Sequence, residues 1–383
     1  MRREIQQQEV GVYVVHLSSS QKSVDEIPKL CKDGIIVIAK IAKGMATIMK
    51  ITSIDLIEVL VPYVDAIDGV GFEARNYTTI AKIHTDVELT GLGERWQRKQ
   101  TLEAQAEALV GRDLMTMDLA RLDRPFQSAC YDIVAQELGV PVWRLLGDKV
   151  RDRIPVAYWS CHMPPAETAR EAERAAAQGF KIHKLKAIPE DVVQQVNAIA
   201  CATAGLDYAI RLDPEGKFRT VADTVKLARQ LEPYNIECFE NPVSWQKLTW
   251  YPLLRQKTDI PQALHLIYAG TVLEAVRVGA ADLINLSGNV DFVKKAAAIA
   301  EVAACPIWLQ TGGLCLGIQA AFSAHLQSTL RNDLRACGEL PFLREDTLVG
   351  DSLAIEDGHI AVPEGPGLGI HLDEKAVAKY RTG

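Results

Sequence analysis

From Ile154 onward the chain repeats one pattern: a short β-branched run, an Ala-rich amphipathic stretch, then the next short run. Candidate strands end near Ser160, Lys186, Asp213, Glu240, His265, Leu286, Gln310 and Cys337, roughly 21 to 27 residues apart. That interval suits one strand, one helix and two short loops. Stretches such as Pro165 to Gln178 and Val221 to Leu231 supply the helices. Eight such units predict parallel strands wrapped by helices, an α/β barrel of the TIM type. A doubly wound open sheet is the alternative. No Gly-rich phosphate-binding turn follows a first strand, which weighs against it.

The rest of the chain divides around this repeat. Residues 1–48 differ in character: a polar start, a run of serines at Ser18 to Ser20 and one short apolar segment. They are expected to be an atypical N-terminal extension. Residues 49–150 read as three strands and then helices, an α+β unit. The strands run from Ile51 to Val61, from Tyr77 to Thr85 and around Leu92-Gly93-Glu94. Helical periodicity follows over Leu102 to Leu109 and Ala129 to Leu138. The barrel is expected over 151–343. Residues 344–383 are a turn-rich tail expected to return to the first domain.

Composition excludes several classes. A formal charge of −7 argues against nucleic acid as the main partner, because phosphate binding needs a basic face. The longest suspicious apolar stretch, Gly34 to Ala39, is far too short to span a membrane. Eight cysteines are present (Cys31, Cys130, Cys161, Cys201, Cys238, Cys305, Cys315 and Cys337), and no two make a C-x-x-C pair. Free thiols in a reducing cytoplasm are expected rather than a zinc cluster or disulfide framework.

In a barrel the chemistry sits at the C-terminal ends of the strands. The second strand ends His183-Lys184-Leu185-Lys186, the third Arg211-Leu212-Asp213, the fourth Cys238-Phe239-Glu240. Lys184 and Lys186 are two apart and share one face of their strand. Two neighbouring ammonium groups repel, which is expected to lower the pKa of at least one toward that of a general base. Asp213 and Glu240 end adjacent strands, so their carboxylates can converge on one hard divalent cation such as Mg²⁺. Such a cation holds a substrate carboxylate and stabilises the enediolate left by α-proton removal.

These segments carry a resemblance. Thr85-Asp86 with Gly91-Leu92-Gly93-Glu94 is one of them, and Ala129-Cys130-Tyr131-Asp132 with Gly139-Val140-Pro141-Val142-Trp143 is another. Lys184-Leu185-Lys186, Leu212-Asp213-Pro214-Glu215-Gly216, Phe239-Glu240-Asn241-Pro242, Gly279 to Leu286 and Pro366-Gly367-Leu368-Gly369 complete the set. Together they resemble the mandelate racemase and muconate lactonizing enzyme branch of the enolase superfamily over about residues 49–375. The resemblance implies an α+β capping domain on a modified (β/α)7β barrel and a small-molecule carboxylate substrate. It implies a lyase or isomerase that removes a proton α to a metal-bound carboxylate, giving dehydration, racemisation, epimerisation or cycloisomerisation of a small hydroxy, sugar or amino acid. Lys186 would be the general base, assisted by Lys184, and Asp213 and Glu240 two of three metal ligands. A homo-oligomer is expected as well.

Two positions depart from the pattern. The third ligand, an acid in the family, aligns with His265. It is read as a third ligand favouring Mn²⁺, Fe²⁺ or Zn²⁺, as a substrate or acid/base contact, or as a structural residue of a site without metal. The sixth and seventh strands end Asn285-Leu286-Ser287 and Leu309-Gln310-Thr311, with no evident second base. That favours dehydration over two-base racemisation. Asn285, Gln310, Trp159 and Arg75 are the candidate substrate contacts, and His162 is a further pocket candidate. Two other functions are weighed: a degenerate relative that binds a carboxylate without turnover, and a Schiff-base aldolase using Lys184 or Lys186.

Overall fold

The computed structural model describes residues 48–64 and 77–382. Most of the N-terminal extension, Cys31 and the candidate contact Arg75 lie outside the described residues.

The chain opens with an antiparallel meander of β1 (Ile51–Leu60), β2 (Tyr77–Thr85) and β3 (Thr90–Arg95). Ile80, Ala81 and Ile83 of β2 are buried, and the helices Glu103–Leu109 and Phe126–Leu138 pack close by. Gly91 and Gly93 of β3 are required by that packing. A Cβ at either would lie 2.1 Å from Ala129 O or 2.0 Å from Pro125 O on the longer helix. The helix ends at Gly139, whose φ of 68° is left-handed and suits glycine.

A short strand, β4 (Arg153–Pro155), leads into seven parallel strands paired in chain order: β5 (Tyr158–Ser160), β6 (Ile182–Lys186), β7 (Ala209–Asp213), β8 (Ile236–Glu240), β9 (Gln262–Leu266), β10 (Leu283–Leu286) and β11 (Ile307–Leu309). A helix separates each strand from the next, as in Pro165–Ala177 and Val221–Leu231. Thr220 and Asn289 cap two of these helices, each side chain accepting from the backbone N–H three residues on. The fold is therefore α/β with a parallel sheet. The strand ends read from sequence hold at Ser160, Lys186, Asp213, Glu240 and Leu286, and shift by one residue at His265 and Gln310.

The eighth expected strand is more irregular. The stretch 333–338 hydrogen-bonds to one outer strand of the sheet, β11, and to the residues that lead directly into the other, β5. Arg335 N donates to Ile307 O, Gly338 N to Leu309 O and Ala157 N to Cys337 O. The tail also contains regular structure that its turn-rich composition hides. β12 (Ile355–Glu356) and β13 (His359–Ala361) form a hairpin, and β13 pairs with β4. The tail then returns to the first strands: Thr382 N donates to Glu58 O, and Arg381 bridges Val59. Among the described residues no helix is long and apolar enough to cross a membrane.

Candidate active site

Register places the chemistry. β6 and β7 pair so that Lys186 lies opposite Asp213, and β9 and β10 so that Asn285 lies opposite His265. Lys184 is 2 % exposed, yet its ammonium is fully engaged. Nζ lies 3.0 Å from Asp213 Oδ2 and 2.7 Å from Glu240 Oε2, and donates to Gln310 Oε1 at 3.1 Å. Asn285 Nδ2 donates to Glu240 Oε1 at 2.8 Å and to Gln310 Oε1 at 3.1 Å. His265 Nε2 is 2.9 Å from Ser287 Oγ, while its Nδ1 is 3.9 Å from Glu240 Oε1. Six strands thus bring Lys184, Lys186, Asp213, Glu240, His265, Asn285 and Gln310 into one cluster.

Lys186 corrects an expectation. It donates to Asp213 Oδ2 at 2.7 Å and to Glu215 Oε1 at 2.6 Å. Burial pushes its ammonium down, but the carboxylates of Asp213 and Glu215 outweigh burial and hold it well above its ordinary value. Repulsion between the lysines is therefore not the deciding effect. Burial likewise pushes Asp213 up, and Lys184 and Lys186 together hold it well below the usual carboxylate range. Burial outweighs the attraction of Glu240 at His265 and lowers it, favouring neutral imidazole.

The loops that present these groups adopt uncommon conformations. Glu215 and Asn241 have φ of 50° and 45°, left-handed values that non-glycine residues seldom take. Asn241 is locked in place: its Oδ1 accepts from His265 N at 3.1 Å and its carbonyl from Gly216 N at 2.7 Å. One residue, through its side chain and its backbone carbonyl, therefore ties the ends of β7, β8 and β9 together.

Three participants escaped the sequence reading. Glu215 was legible only as part of a motif, Ser287 as a strand-end residue without charge. Glu339 follows the irregular eighth segment and is fully buried. Its Oε1 accepts from Thr311 N, Thr311 Oγ1 and Ser323 Oγ, and its Oε2 from Gly312 N and Cys315 Sγ. Burial raises its pKa against these donors. Of the remaining candidates, Trp159 is 4 % exposed and packs among Tyr63, Met163, Leu314 and Leu343, which makes it part of the wall. His162 pairs with Asp191 at 2.9 Å. A cavity of about 490 Å³ lies among Arg255, Asp259 and Asp282, in the loops leading into β9 and β10. That is the opposite end of the strands from the lysines, and the residues of the cluster do not line it.

The cluster suits a cation. Two buried carboxylates converge on a single point, now held by an ammonium, and Glu240 Oε2 accepts no hydrogen bond there despite its ion pair. Oxygen donors of this kind fit a divalent ion, with His265 the nearest third donor. As arranged, no three His, Cys, Asp or Glu side chains among the described residues are gathered closely enough to hold one. Lys184 would have to yield its place.

Comparison with known proteins bears on the family and the fold. The family model described as "Enolase C-terminal domain-like" matches residues 167–376. The chain is 28 % identical over 317 residues to a D-gluconate dehydratase of Thermoproteus tenax, covering 72 % of this chain and 63 % of that relative, just under two thirds of its length. It is 26 % identical over 366 residues to an N-succinyl-L-Arg/Lys racemase of Bacillus cereus, covering 85 % of this chain and 96 % of the relative. Among solved structures, a muconate cycloisomerase from Pseudomonas fluorescens is similar with a TM-score of 0.76 at 24 % identity, covering 87 % of this chain and 99 % of that one. The last likeness bears on the fold, which is TIM-like.

Proposed function

Because the chain belongs to the mandelate racemase and muconate lactonizing enzyme branch of the enolase superfamily, we propose that it removes a proton α to the carboxylate of a small hydroxy, sugar or amino acid, giving dehydration or racemisation. The observation that carries this reading is the convergence of Lys184, Lys186, Asp213 and Glu240 at the ends of three adjacent strands. The members of this superfamily use a divalent metal ion. Asp213 and Glu240 would hold it here, with His265 as the third donor. When bound it supplies positive charge for the substrate carboxylate and for the charge that develops on it. Mg²⁺ suits the two carboxylates; Mn²⁺, Fe²⁺ or Zn²⁺ suits the imidazole better.

The protein's own groups divide the work. Lys186, in its neutral form, takes the Cα proton on Nζ, so the C–H bond breaks and an N–H bond forms. The electron pair left behind spreads into the carboxylate, beside the ammonium of Lys184. In a dehydration the pair then expels a β-hydroxyl, which leaves as water with the proton that Lys186 has just taken, returning Lys186 to its neutral form. In a racemisation a proton returns to the opposite face of Cα. His265, neutral and bonded to Ser287, is the nearest ionisable group on the β9–β10 side. The weak proton inventory of that side favours dehydration. For Lys186 to act as a base, the grip of Asp213 and Glu215 must relax. Glu215, 57 % exposed, is the partner freer to withdraw.

A second reading, carboxylate binding without turnover, is favoured by Lys184 in the cation position and by the imidazole at the third ligand. Exchange separates the two. With a library of hydroxy and sugar acids in deuterated buffer, Cα deuteration that Lys186→Ala abolishes supports the enzyme. Saturable acid binding without exchange supports the binder.

The finer architecture belongs to the same proposal: a cap over 49–150, a (β/α)7β barrel over 151–343, a tail over 344–383 and a homo-oligomeric assembly. The contacts of 333–338 with β11 and with the residues leading into β5 support closure. A reducing, cytoplasmic setting is supported by the seven described cysteines, five of them buried and none joined to another described cysteine.

A further inference from the structure

Beside the lysine cluster, a cavity of about 260 Å³ opens between the end of β3 and the loop after β11. Two arginines line it, and they differ. Arg95 is paired with Asp123 at 2.5 Å and also donates to Arg124 O. The guanidinium of Arg124 has no hydrogen-bond or ion-pair partner among the described residues. Three carboxyls lie nearby, and none forms an ion pair with it: Asp123 is held by Arg95. Glu339 is taken up by its five donors. Glu94 also lines the cavity: its Oε1 accepts from Leu316 N at the start of the helix Gly317–Ser328, its buried Oε2 has no hydrogen-bond partner, and burial pushes its carboxyl up to about 7, toward a neutral acid that can donate to an anion. Burial, and then Arg95 beside it, hold the Arg124 guanidinium below its ordinary value, so an arriving anion relieves both.

The opposite wall leads to the reaction centre. Gln310 lines the cavity and accepts from Lys184 Nζ. Gln319 also lines it, is 2 % exposed, and its Oε1 has no hydrogen-bond partner. A cavity with a free guanidinium, a free amide oxygen and a shared wall with Lys184 is built for a group that carries negative charge and a hydroxyl or N–H.

We propose that this cavity receives a second acidic group of the substrate, held by Arg124, so that the enzyme acts on hydroxylated or amidated diacids whose other carboxylate lies at the lysine cluster. The assignment rests on the proposed function for the position of that first carboxylate; the existence of the Arg124 subsite does not.

The test is calorimetric titration of the full chain with malonate, succinate, glutarate and adipate, against butyrate and inorganic phosphate. At least one diacid is expected to bind tenfold or more tightly than butyrate. Arg124→Ala is expected to abolish that preference while leaving butyrate unchanged, and Arg124→Lys to restore part of it. An unchanged melting transition checks that the variants fold. A preference that survives Arg124→Ala, the absence of any preference, or phosphate binding as tightly as the best diacid would each overturn the proposal. Arg124-dependent diacid binding with no Cα exchange would keep the subsite and remove the catalytic reading. Exchange that ignores Arg124 would do the reverse.

Discussion

Replacing Lys184 by methionine keeps the length of the side chain and removes its charge. The ammonium is 2 % exposed and lies between Asp213 at 3.0 Å and Glu240 at 2.7 Å. Removing one partner from a buried ion pair costs about 3–5 kcal/mol, because the remaining charge stays desolvated. Asp213 keeps Lys186, at 2.7 Å, so the loss falls mainly on Glu240, which retains the amide of Asn285 and, at 3.9 Å, the imidazole of His265. That places the cost near the lower end, about 3 kcal/mol. At roughly 2–4 °C per kcal/mol, the variant should melt on the order of 5–10 °C lower in chelator. The vacated position should then take a divalent cation without displacing an ammonium. A cation at one hundred times its dissociation constant adds about 2.7 kcal/mol, enough to recover most of the deficit. Thermal melting of both proteins across a Mn²⁺ series reads both effects. A variant as stable as the parent in chelator would refute the buried-pair account. An identical Mn²⁺ response in both proteins would refute the idea that Lys184 stands where the ion would bind.

Two further outcomes are expected. His183 is fully buried, 2.7 Å from Ser160 Oγ and 3.1 Å from Tyr208 OH, and burial lowers its pKa from 6.5 to about 3. A folded value below the unfolded one means the unfolded chain binds the proton first. Stability is then complete above pH 6.5 and is lost as pH falls toward 3, at up to about 1.4 kcal/mol per pH unit. Urea unfolding between pH 7 and pH 5 should show this slope, reduced in His183→Gln; equal slopes would sink the assignment. His265→Asp restores an oxygen donor at the third position, and Mg²⁺ affinity by calorimetry should rise tenfold or more. An unchanged affinity would mean that this side chain does not face the ion.

The positions at the strand ends were legible because a parallel α/β sheet imposes one rule on every unit. Each strand delivers one side chain to the same end, so counting the repeat located Lys186, Asp213 and Glu240 without knowledge of tertiary contacts. Where backbone pairing is irregular, the count weakens. The segment 333–338 is held by isolated bridges rather than a continuous ladder, and Glu339 beyond it was missed. The hairpin of β12 and β13 was hidden for a related reason: Ile355-Glu356 and His359-Ile360-Ala361 are too short to show a period.

The protonation state of Lys186 was illegible for a different reason. Sequence spacing reports which charges share a strand, but the dominant field comes from neighbouring elements. Asp213 arrives from β7 and Glu215 from a turn whose φ of 50° no propensity argument anticipates. Both lysines meet at the same atom, Asp213 Oδ2, which accepts from Lys186 at 2.7 Å and faces Lys184 at 3.0 Å. The two roles of the centre are therefore coupled through one oxygen. Whatever draws Asp213 Oδ2 away from Lys186 removes a carboxylate that now holds its ammonium protonated, and moves it toward the neutral base. Cation binding and the neutral fraction of Lys186 should accordingly rise and fall together, and a substitution that weakens one without the other has to act elsewhere than on Asp213.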